Sequence, residues 1–134
     1  MDIRKHAVAE TGRLHLQDAA GAELFDDQGR PVVAVIYGPG SKQYARANAK
    51  RSNRAMERMR KKGKVEQTAE ELAAENADFL ADITADLENL SYDGLEGRAK
   101  HLAVYKDLSI GFIADQVAKY GNDWANFSKP STSI

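Results

Sequence analysis

The sequence predicts an α+β fold that is mainly helical: a small N-terminal antiparallel β unit, then a long helical hairpin, then a C-terminal helix. Three observations carry this. Residues 12–37 combine strand-like alternation with a run of β-branched and aromatic side chains. Residues 41–90 hold two long stretches without Gly or Pro, parted at Gly63. Residues 98–127 return to apolar side chains at helical spacing. The length of 134 residues fits one domain. Residues 1–11 and 128–134 carry few core signals and are expected to be flexible.

Within 12–37, Leu14 and Leu16 alternate with Arg13, His15 and Gln17. Asp18-Ala-Ala-Gly21 and Asp26-Asp-Gln-Gly29 read as turns, because Asp bonds its own backbone and Gly accepts positive φ. Val32, Val33, Val35, Ile36 and Tyr37 form the strongest strand signal, with Pro31 at its start, where a missing N–H is tolerated. Two strands alone are marginal, so the unit must pack on helices.

Gly38-Pro39-Gly40 breaks the strand and Ser41 reads as an N-cap for a helix from Lys42 to about Lys62. Its stripe Ala45, Ala49, Ser52, Met56, Met59 has spacings of 4, 3, 4, 3, a seam of small and flexible side chains. Gly63 ends this helix beside a Lys cluster. Thr68 and Glu71 form a capping box for a second helix, expected over about Ala69 to Asn89, with an apolar stripe of Leu72, Phe79, Ile83, Leu87 and Leu90. Ser91 to Gly97 is a loop. Leu108, Phe112, Ile113, Val117 and Tyr120 fit a third helix stopped at Gly121, and Trp124 and Phe127 form a closing turn.

Composition excludes several functions. Without cysteine there is no disulfide, thiolate metal site or cysteine nucleophile, and the lack fits a reducing cytoplasm. No apolar run reaches membrane-spanning length, and the charged N-terminus reads as no signal peptide. His6, His15 and His101 stand at no metal-ligand spacing, and no HExxH or GxSxG motif occurs. Gly38-Pro39-Gly40-Ser41-Lys42 lies between strand and helix like a phosphate loop. Its glycines are one residue apart where four are needed, and the final Ser-Lys order is reversed. The connector reading wins. The expectation is a non-enzyme with no catalytic residue, cofactor or metal.

The net charge of −1 hides two opposed blocks. Residues 42–64 hold ten Lys and Arg against Glu57, a net of +9. Residues 65–96 hold ten Asp and Glu and no cation. The basic surface Arg46, Lys50, Arg54, Arg58 and Lys61 has three readings: pairing with the acidic helix in an antiparallel hairpin, an interprotein surface, or a nucleic-acid footprint. Tyr44 is the one aromatic on this helix, so stacking platforms are missing, and nucleic acid is the weakest partner reading. At the other end, Trp124 and Phe127 either complete the core or anchor a partner.

Three stretches, IYGPGSKQYARANAKRSNRAMERMRKKGK, FLADITADLENLSYDGLEG and VYKDLSIGFIADQVAKYGNDWANFSK, resemble a family of small tailed-phage proteins commonly labelled tail assembly chaperones. The resemblance covers residues 30–128 and implies a cytoplasmic helper in an infected or lysogenic host. It would bind tape measure protein, and also tail tube protein, keep them soluble, and be absent from the finished particle. A longer frameshifted form accompanies many such proteins. The family has no catalytic residues to carry over. The expected partner-binding residues are Ala45, Ala49, Met56, Met59, Trp124 and Phe127. A homo-oligomer, a minor virion structural protein and a nucleic-acid-associated phage protein stand as alternatives.

Overall fold

The computed structural model describes residues 1–63 and 67–129. The centre of the helix-to-helix connection and the last five residues of the predicted tail lie outside the described residues. In chain order the elements are β1 Thr11–His15, β2 Val33–Tyr37, α1 Lys42–Lys62, α2 Ala69–Asp82, β3 Thr84–Glu88, α3 Gly97–Lys106 and α4 Gly111–Gly121. Short 3-10 turns add Ile3–His6, Leu108–Ile110 and Trp124–Phe127. The α+β, mainly helical class is as the sequence predicts.

The sheet has three antiparallel strands in the order β1-β2-β3. The third strand corrects the sequence reading, which ran the second helix on to Asn89. Helix α2 stops at Asp82, and Ile83 and Leu87 pass into the sheet region. The cause of the misreading is a bulge. Ile36 faces Thr84 while Val35 faces Asp86, so Ala85 is an extra residue in the ladder. Thr84 and Leu87 are both buried with two exposed residues between them. A bulged strand thus displays its buried side chains at a helix-like spacing.

Between β1 and β2 the chain makes two arms of one pattern, Leu-x-Asp-x-x-Gly, starting at Leu16 and Leu24. Each Asp carboxylate accepts two backbone N–H groups: Asp18 from Ala20 and Ala22, Asp26 from Gln28 and Arg30. Each Gly has positive φ, 91° at Gly21 and 77° at Gly29. The bases of the arms meet in a ring: Leu16 N–H donates to Val32 O, Val32 to Leu24 and Leu24 to Leu16, at 2.9–3.0 Å. The two turns read from sequence are there, and the ring joins them into one module.

The core lies between the sheet and α2, α3 and α4. Leu16, Ile36, Ile83, Leu87, Val104, Val117 and Phe127 are its largest fully buried side chains. Helix α4 also seals the outer edge of β1. The Gln116 amide accepts from Gln17 N–H and donates to Gln17 O, both at 2.8 Å, and the Tyr120 hydroxyl donates to Arg13 O. The N-terminal segment is partly tied down. Ala9 N–H donates to Phe127 O at 2.7 Å and Val8 packs on the core.

One buried group stands out. His101 is 4% exposed, and neither ring nitrogen has a hydrogen-bond partner among the described residues. Burial holds its imidazole below the ordinary value, with Lys100 and Arg98 acting the same way and Asp86 opposing them. The unfolded chain therefore takes the proton first as pH falls. Stability is lost as pH drops through the unfolded value of about 6.5. His101→Leu is expected to remove this component and to raise stability near neutral pH by about 1 kcal/mol, because no polar group is then left unsatisfied. Thermal melts of both proteins at pH 5 and pH 7.5 check it: the gap between them should widen at pH 5.

Candidate interaction surface

Helix α1 begins where the sequence predicts. The Ser41 hydroxyl accepts Tyr44 N–H at 3.1 Å and donates to Gly38 O at 2.7 Å, so it serves as both cap and turn clasp. Gly63, at φ 70°, ends the helix with its N–H on Met59 O. Over 21 residues α1 is about 32 Å long. Ala47 alone is buried among its described side chains.

The inner face of α1 holds to α2 by charge and one ring. Tyr44 meets Phe79 edge-on with centroids 5.5 Å apart, and the Arg51 guanidinium lies 3.6 Å above the same ring. Lys50 reaches Asp78 and Asp82, each at 3.0 Å. Arg54 reaches Asp78 at 2.9 Å, and Arg58 pairs with Glu75. Residue numbers rise on α1 as they fall on α2, so the hairpin is antiparallel. From α3, Arg98 joins Asp78 at 2.6 Å and Asp82 at 2.7 Å. Burial pushes the Asp78 carboxyl up. The Arg98 and Lys50 hydrogen bonds and the Arg54 charge together outweigh it and hold the group down to about 2. The same carboxylates raise Lys50 and Arg98.

Of the five predicted surface cations, Lys50, Arg54 and Arg58 are therefore turned to α2. Lys61 lies 3.7 Å from Glu57 on its own helix. Arg46 is exposed and has no ion pair among the described residues. Sequence reading missed Arg98 as a member of this network. The available signal was its position as the first cation after the acidic block.

The outer face of α1 is the predicted seam. Ala45, Ala49 and Ser52 are exposed, Met56 is 67% exposed and Met59 53%. The structure brings these residues into one stripe, which the described residues leave uncovered. It does not bring Phe127 to the surface. That ring is 1% exposed and packs against Gly38 and Tyr120, so the expectation of Phe127 as a partner anchor is corrected: it completes the core. Trp124, in the same turn, is 57% exposed.

A separate groove of about 480 Å³ runs between α2 and α4, lined by Ala73, Ala77, Leu80, Leu108, Ala114 and Ala118 among others. Asp107, which also lines it, is held by Ser109 and Tyr92 hydrogen bonds, which lower its carboxyl. No group of three or more acidic or histidine side chains able to hold a metal ion occurs among the described residues. No described helix is long and apolar enough to cross a membrane. Comparison with protein-family models, curated proteins and solved structures finds no match.

Proposed function

We propose that this chain is a tail assembly chaperone of a tailed phage, a cytoplasmic binding protein without catalysis that holds tape measure protein, and also tail tube protein, during assembly. The uncovered stripe of Ala45, Ala49, Met56 and Met59 carries the reading beside the resemblance. Small residues let a partner helix approach closely, and methionines adapt to irregular apolar surfaces. A long, helical, apolar client would aggregate alone; a cover with charged flanks keeps it dissolved. The nucleic-acid reading is weaker, because Lys50, Arg54 and Arg58 already face carboxylates of α2.

Met56→Asp with Met59→Asp tests this. Both side chains are exposed, so thermal stability should change by no more than about 0.5 kcal/mol. Co-expression with tape measure protein should then yield an insoluble client, where the native chain yields a soluble one. Mass spectrometry of tagged chain from infected cells should recover the client, and mature particles should lack the chain. A client that stays soluble with the double variant removes this surface from the function.

A further inference from the structure

We infer that the outer face of α1 receives an acidic amphipathic helix of a protein partner, with apolar side chains on the seam and carboxylates along its flank. The inference deepens the proposed function, from which it takes only the choice of face. Its first support is charge. Arg46 is exposed without an ion pair among the described residues, and with the seam residue Ala49 it lines a hollow of about 420 Å³. Lys42 is exposed one turn earlier. At the far end Arg60 and Lys61 share a single carboxylate, Glu57. The cations not engaged with α2 thus leave this flank positive at both ends, which a partner's Glu or Asp side chains would complement.

The second support is the order of sizes along the seam. Ala45, Ala49 and Ser52 make a shallow half, and Met56 and Met59 a raised half. A partner helix therefore seats its large side chains at the N-terminal half of α1 and its small ones at the C-terminal half. A second copy of α1 would bring Arg46 and Arg60 against like charges. Nucleic acid would meet two methionines and no stacking ring, since Tyr44 is turned onto Phe79.

The test uses the full chain and three probes. One is a 21-residue synthetic helix with a stripe that is Leu in one half and Ala in the other, flanked by Glu, the second the same stripe flanked by Lys, and the third a DNA duplex. Fluorescence anisotropy at low and moderate salt should show binding of the Glu-flanked peptide. Lys42→Glu with Arg46→Glu should weaken it by roughly tenfold or more. Met56→Asp with Met59→Asp should abolish it while circular dichroism stays unchanged. Equal affinity for both peptides, preference for the duplex, or no binding of the Glu-flanked peptide overturns the inference. Failure here with a client still solubilised sinks only the partner chemistry. Peptide binding with no effect on the client sinks only the chaperone reading.

Discussion

Phe127→Ala is expected to cost about 3–5 kcal/mol, the largest loss from any single side chain near the C-terminal end. The ring is 1% exposed and meets Tyr120 with centroids 5.3 Å apart. It also lies on bare backbone. A β-carbon built at Gly38 would stand 2.4 Å from Phe127 Cδ1 and 2.5 Å from Cγ. A β-carbon at Gly12 would stand 3.0 Å from Cε1. Gly38→Ala is therefore an overpacking change, expected to cost about 1–3 kcal/mol, with the ring or the strand end forced to move. The two changes should not add. With Phe127 reduced to alanine, the new methyl at residue 38 enters vacated space, so the double variant should lose measurably less than the sum. Urea unfolding of the four proteins gives the coupling. Strict additivity would mean that ring and glycine do not touch. Trp124→Ala is the internal contrast: this side chain is 57% exposed, and its loss should move stability by about 0.5 kcal/mol or less.

Both ends of α1 and the start of α2 were legible because their signals are local. Ser41, Gly63 and Thr68 do in the structure what their types imply, each satisfying backbone groups within four residues. Strand β3 was not legible, because its partner lies some fifty residues away and its bulge disguises its period. Ile83 and Leu87 are buried in either reading, so burial pattern alone does not choose between them. What chooses is β2, whose second edge would otherwise lie open. The seam on α1 was legible as a stripe, but which side of the helix faced the body was not. That depended on the carboxylates of α2, which outcompeted the small apolar side chains for the basic face. Phe127 and Trp124 sit in one short turn, and their sequence context is alike. The bare backbone at Gly12 and Gly38 makes room for the Phe127 ring inside, whereas Trp124, beside Gly40, stays exposed.

Asp78→Asn is expected to cost about 2 kcal/mol at neutral pH, and the pH dependence gives the reason. The folded carboxyl sits at about 2, below its ordinary value of 3.8. A carboxyl depressed on folding contributes stability that is fully present above its unfolded value. That contribution is lost as pH falls from about 4 towards 2. The asparagine variant should thus be less stable than the native chain at pH 7, and the gap should close through this acidic window. The side chain is 19% exposed, so screening is partial, and 1 M salt should narrow the gap without removing it. The loss exceeds that of an ordinary surface pair because Asp78 joins three elements: Lys50 and Arg54 come from α1 and Arg98 from α3. With asparagine there, Lys50 and Arg98 keep Asp82, while Arg54 loses its carboxylate. An Arg54→Met change made in the Asp78→Asn background should therefore cost less than the same change in the native chain. If the two Arg54→Met costs are equal, the pair does not fasten α1. The helix would then be held by the Lys50–Asp82 and Arg58–Glu75 pairs and by Tyr44 and Arg51 on Phe79, and the outer seam would owe its orientation to those contacts.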